Sequence, residues 1–446
     1  MKLISILLLI CQSSFGATYY VSTTGSDAAA GTIGAPWATW QHGFETASAG
    51  DVVYIRGGVY HPVITSAFGV FLDNKDGSAG SLIRIYAYPG EVPIMDMSTN
   101  TENTVGNYGI RMDNCDYWYL KGLHVTGASQ HDLAHAAAGI LMISCNHNIL
   151  EQVQSYANEG PGMRLQYDSE DNFVHNCDFY NNYDPHSASP GGNADGIDMA
   201  AYERAGNERR NHISGCRAYQ NSDDGFDFVL NSGFVTIDSC WAWRNGYQAS
   251  GNGCGFKLGE NDGTSEATPQ RLVHNCLSFL NKTHGFSQNE STVRMDLFNN
   301  TSFDNVNTGF FFYWQNIVNT FRNNISYSDA NTLIKTGPTN SGTNVVEDHN
   351  TWNGGVTISS ADFVSVDSTG VSGARQSNGN LPSVNFLKLI AGSDLINAGV
   401  DVGIPYLNSA PDLGAFEFVT PPVVGSGKVI YQSGKSITQN GKIIRQ

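Results

Sequence analysis

Apolar and polar residues alternate in short runs punctuated by glycine and asparagine, and the central part of the chain sustains no helical period. The runs repeat. The phrases HNCDFY, SGCRAY, DSCWAW, HNCLSF, FNNTSF and RNNISY align on Cys177, Cys216, Cys240, Cys276, Asn300 and Asn324, and Val153 extends the series backwards. Three residues after each stands an aromatic: Tyr156, Tyr180, Tyr219, Trp243, Phe279, Phe303 and Tyr327. Five residues after stands an asparagine, from Asn158 through Asn182, Asn221, Asn245 and Asn281 to Asn305, where the series ends. Cys216 to Cys240, Cys276 to Asn300 and Asn300 to Asn324 are each 24 residues apart, and the longer steps 177 to 216 and 240 to 276 carry insertions.

A period in the twenties with alternating runs predicts an all-β fold, a parallel β-helix. One coil cannot bury its own inward face, so successive coils stack about 4.8 Å apart and like residues lie over like. The asparagines then form a buried ladder whose amides bond the turn backbone and one another. A sandwich or propeller predicts no 24-residue phrase.

The expected organisation is a secretory leader over residues 1–16, a β-helix catalytic domain over 17–418, and a linker and tail of unassigned role over 419–446. The leader reading rests on Lys2, the apolar run that follows it and the small residues at its end. Trp37 to Ala47 reads as a short helix capping the open end of the solenoid, where apolar side chains and strand edges would otherwise be exposed. Val52 to Ile55 starts the first coil, coils run to about residue 330, and 335–415 is less regular. The tail has two short alternating runs, which suit either a surface-retention element or a strand pair. No other segment is apolar enough to span a membrane. Of eight cysteines, Cys11 lies in the leader; four of the other seven fall in the inward column and read as small buried hydrophobes rather than disulfides. A net charge of −17 excludes a nucleic-acid partner and means that a polyanionic substrate needs local cations or a metal ion.

A second set of columns carries the chemistry. Glycines recur at Gly162, Gly196, Gly225, Gly255, Gly285 and Gly309. Asp195 and Asp224 immediately precede two of them, with Asp223 alongside, and Arg164, Asp198, Asp227 and Lys257 follow the first four by two residues. Stacked in register, these carboxylates would repel one another unless neutralised. Oxygen ligands in that number suit Ca²⁺. Arg164 is either a ligand for a substrate carboxylate or the salt-bridge partner of Asp198. His284, one coil on, is either a substrate contact or a surface histidine.

The ordered phrases NADG, SDDGFD and GFKLG, with YYVS…PWAT and YIRGGVY near the start, resemble the family 9 polysaccharide lyases over about residues 18–417. The resemblance implies a right-handed parallel β-helix and calcium-dependent cleavage of pectate by β-elimination. It makes Asp195, Asp223, Asp224 and Asp227 calcium ligands and Lys257 the base. Cys254, inside the lysine phrase, is a departure from the pattern. The implied protein is a secreted monomer acting on an acidic polysaccharide. Two rivals use the same solenoid. A polygalacturonase-like hydrolase would take Asp195, Asp223 and Asp224 as acid and base, and a non-catalytic glycan-binding protein would not need the lysine.

Overall fold

The computed structural model describes residues 16–62, 67–100, 106–131, 136–200, 210–229, 231, 233–259, 266–313, 318–334 and 345–419, together with three short tail strands. The expected leader lies outside them, apart from Gly16.

Among the described residues, three parallel sheets of twelve, ten and ten strands wrap one core, and a coil contributes one strand to each in turn. Phe173–His175, Asp178–Tyr180 and Ile197–Ala200 form one such coil. Each strand pairs with its counterpart in the next coil, so a residue's place in the coil decides its neighbours. The inward side chains form a continuous apolar core from Val21 to Phe321.

Single left-handed residues make the corners. Asn176, Gly215, Ser239, Asn275, Asn299 and Asn323 have positive φ, and each immediately precedes a residue of the cysteine–asparagine column. A second corner uses Asn181, Gln220, Arg244, Leu280 and Asp304, each just before a ladder asparagine. A left-handed residue with a Cβ costs about 1–2 kcal/mol. The ladder offsets that cost by satisfying the backbone the corner exposes: Asn221 donates its backbone N–H and its amide to the Asn245 side chain at 3.2 and 3.1 Å, and the amide also reaches the Phe179 carbonyl. The series does not stop at Asn305. Asp329 accepts from the backbone and amide of Asn305 and supplies one more rung. Asn148, Asn172 and Asn211 form a further ladder that the repeat phrase does not include.

The seven described cysteines are free and buried. Cys177 and Cys240 donate backbone N–H groups to the sulfurs of Cys216 and Cys276 at 3.4 Å, so the column packs as the repeat implies.

At the N-terminal end, Thr18–Val21 precedes Val52–Ile55 in the twelve-stranded sheet, so the first coil begins earlier than expected. The capping helix spans Trp40–Thr46, with Thr39 as N-cap and Trp40 and Phe44 buried. Its Gln41 side chain pairs with the backbone N–H and carbonyl of Phe71 on the edge strand Phe68–Asp73, covering an edge that would otherwise be open. At the other end the coils continue to Val345–Asp348, past the expected limit near 330.

The segment after residue 349 has little regular structure but a defined task. The aromatic column stacks with near-parallel rings, Tyr180 on Tyr219 at 4.8 Å and Tyr219 on Trp243 at 4.1 Å. It lies outside the core, and Phe363, Phe386, Leu387, Leu389, Leu395 and Leu413 cover it as a second apolar cluster. Arg375 and Arg217 both clamp Asp178 beneath this segment. The tail forms three antiparallel strands, Ile430–Tyr431, Ser436–Gln439 and Lys442–Ile444, where two alternating runs were read from sequence.

Candidate active site

The glycine column lies on the second sheet. A Cβ at Gly196 would stand 2.6 Å from the Gly225 carbonyl oxygen, and one at Gly225 would stand 2.6 Å from that of Gly255. Only glycine lets the coils close up here. The pairs Arg164↔Asp198, Asp198↔Asp227 and Asp227↔Lys257 are in direct register, as the spacing predicts. The same column continues to Ser287 beyond the lysine, and to Leu141, Arg111 and Phe71 in the other direction.

Asp195, Asp224 and Asp227 come together: one carboxylate oxygen of each lies within 4.8 Å of the others. All three are buried, Asp224 completely. Asp195 accepts the backbone N–H of Asp224 at 3.0 Å, Asp224 that of Cys254 at 2.6 Å, and Asp227 that of Val229 at 3.0 Å. The second oxygen of Asp224 is buried, beyond hydrogen-bond distance of any described donor and 3.6 Å from the Lys257 ammonium. Asp223 stands beside this trio but not in it; it accepts the Asn252 N–H at 2.5 Å. The Lys257 ammonium donates to Asp227 at 3.0 Å and lies 3.6 Å from Asp224.

Among the described residues, carboxylates outnumber cations here. Burial, then repulsion from Asp224, pushes the Asp223 carboxyl up to about 8. Burial also raises Asp227 to about 7, against the pull of Lys257. Asp195 rises well above the usual carboxylate range through burial and the charge of Asp223, and burial raises Asp224 too. Burial alone would lower Lys257, but Asp227, Asp224 and Asp195 outweigh it and hold the ammonium form.

These residues fit a hard cation. Calcium–oxygen bonds of about 2.3–2.6 Å allow two ligand oxygens to stand up to about 5 Å apart, which the trio satisfies. The donors are all oxygen, and the buried Asp224 oxygen is met only by the Lys257 ammonium at 3.6 Å, longer than a hydrogen bond.

Arg164 pairs with Asp198 through Nε at 2.6 Å and Nη2 at 2.5 Å, so the salt bridge weighed from sequence is formed. The guanidinium stays about a quarter exposed, while the other Asp198 oxygen is buried and unpartnered. His284 lies at the margin of the surface. It is half buried and stacks on Phe311 at 4.2 Å. Burial drops its pKa to about 4, so the ring is neutral. Cys254 contributes its backbone N–H to Asp224, and its side chain faces the Thr283 hydroxyl at 3.5 Å. Sequence reading missed Ser287, buried in register with Lys257; extending the count of two residues past Gly285 finds it.

Residues 19–331 match the model of a family described as Pel9A-like, right-handed β-helix region. Pectate lyase L of Dickeya chrysanthemi is 33% identical over 413 residues, covering 90% of each chain. The crystal structure of the pectate lyase Pel9A superposes with a TM-score of 0.76 at 31% identity, over 91% of this chain and 97% of that one. A structure titled rhamnogalacturonan lyase superposes with a TM-score of 0.70 at 28% identity, over 84% of this chain and 97% of that one.

Proposed function

The chain belongs to the Pel9A-like right-handed β-helix family and is a polysaccharide lyase; from that premise we propose that it cleaves pectate by calcium-dependent β-elimination with Lys257 as the base. The observation that carries this reading is a buried lysine between Asp224 and Asp227, one coil beyond a buried carboxylate cluster that it does not neutralise by itself.

Elimination requires that the weakly acidic proton on C5 of a uronate be removed. Its C–H electron pair becomes the C4–C5 double bond, and the C4–O bond breaks with the next sugar as leaving group. Bound calcium, held by Asp195, Asp224 and Asp227 with Asp223 beside them, would supply the positive charge that offsets these carboxylates and that of the uronate. Lys257 must accept the proton as a neutral amine. The aspartates that hold its proton lose that hold once their charge is engaged elsewhere, and burial then favours the neutral form. Activity should therefore rise toward alkaline pH. Arg164, oriented by Asp198, presents a cation to the same face for a second substrate carboxylate. The neutral His284 offers a flat ring or a hydrogen bond rather than a charge. The enzyme works outside the cell as a monomer, with residues 1–16 as its leader.

The test is ultraviolet absorbance of unsaturated uronate product on polygalacturonate, with calcium and with chelator. A rise abolished by chelator is expected. New reducing ends without unsaturation would mean a hydrolase and overturn the reading. The likeness to a rhamnogalacturonan lyase makes that polymer the second substrate to try; a rise on it alone would keep the chemistry and move the substrate.

A further inference from the structure

Resting on that reading, we propose a remote subsite on the face that carries the lysine: an aromatic shelf that holds a distal sugar of the same polysaccharide. The column from Lys257 runs through Asp227, Asp198, Arg164 and Leu141 to Arg111 and then Phe71. Arg111 is thus five coils from the lysine, about 24 Å at the inter-strand spacing.

The shelf is built. Phe71 is 36% exposed, its ring stacks on Phe68 at 4.9 Å, and Phe68 stacks on Tyr108 at 5.8 Å. The Arg111 guanidinium lies over all three rings at 5.3 to 5.8 Å and is held there by both oxygens of Asp113. Phe68 and Phe71 open onto a cleft of about 570 Å³ that Thr39, Gln41, Tyr60 and His61 also line. Flat rings beside polar groups suit the apolar face and hydroxyl rim of a sugar ring. Glu45 lines the cleft and Asp113 neutralises Arg111, so ring stacking rather than net charge recognises the sugar. One occupant joins the two ends of the column: a polymer already engaged at Lys257.

Kinetics of the full chain on polygalacturonate and on trigalacturonate, which is too short to reach from Lys257 to Phe71, test this. Phe71→Ala and Arg111→Ala should raise KM on the polymer by about five- to tenfold with kcat unchanged, as expected for loss of uniform binding, and leave the trimer unaffected. Phe71→Tyr, which keeps the ring, should restore the polymer KM. An unchanged polymer KM, or an equal loss on both substrates, would overturn the subsite. Should the unaltered protein release no unsaturated product from any uronate polymer, the lyase reading itself fails. Affinity electrophoresis in polygalacturonate then decides the subsite: retardation lost in Phe71→Ala supports it, and equal mobility overturns it.

Discussion

The protein buries carboxylates in two places and treats them in opposite ways. Asp178 meets Arg217 at 2.7 and 2.8 Å and Arg375 at 2.7 Å. The remaining guanidinium groups find the carbonyls of Val371, Gly373, Gly215, Gly379 and Cys177. Burial pushes Asp178 up, but the two arginines outweigh it and hold the carboxylate ionised. At the active face, Asp195, Asp223, Asp224 and Asp227 lie around one buried lysine among the described residues, and all four are pushed up. A buried charge whose partners are complete is structural; it ties the C-terminal segment to the coils. A buried cluster short of cations stores unfavourable electrostatics that a ligand can relieve.

Three measurements break or sharpen this contrast. The largest effect is expected at the lysine: Lys257→Gln should lower the lyase turnover by about 10³-fold or more, a general base being worth roughly 10²–10⁴. Its melting temperature in calcium should stay close to that of the unaltered protein. Retention of activity would remove Lys257 from the chemistry. Next, Asp178→Ala should cost about 3–5 kcal/mol in denaturant unfolding, because it strands two buried guanidinium groups. Activity per folded molecule should persist. A loss below about 1 kcal/mol would mean that the clamp is not structural.

The smallest effect is in pH and metal. In chelator the folded state holds protons on Asp223 and Asp227 up to about 8 and about 7, against the ordinary 3.8. Between those limits the folded state binds more protons than the unfolded one, so stability falls as pH rises. Lys257 is raised from 10.5, so its contribution stays complete throughout that window and adds no slope. The melting temperature in chelator should drop by several degrees from pH 5 to pH 8, and calcium should abolish the drop. A flat profile in chelator would mean that the cluster is not electrostatically strained.

Much of this was legible in the chain, and what was not lies outside the repeat or in detail below its resolution. The column Arg164, Asp198, Asp227, Lys257 could be counted from the glycines, and the structure pairs it residue for residue. The clamp was half legible: Asp178 and Arg217 each follow a column cysteine by one residue and are in register. Arg375 was not, because it is about 200 residues from Asp178 in sequence and belongs to no repeat. Asp223 joined the ligand set through its phrase, and the structure leaves it beside the trio, accepting the Asn252 N–H.

The sequence by itself determined register. In a parallel solenoid each residue's neighbours are those one period away, so local spacing is already tertiary contact. What the period does not contain is depth. Whether the aromatic column stays open or is sealed by the segment after residue 349, and whether an aspartate meets two arginines or a half-share of one lysine, depends on chain arriving from outside the repeat. Burial and partner count, not residue type, decide which of these carboxylates hold the fold together and which are left to bind.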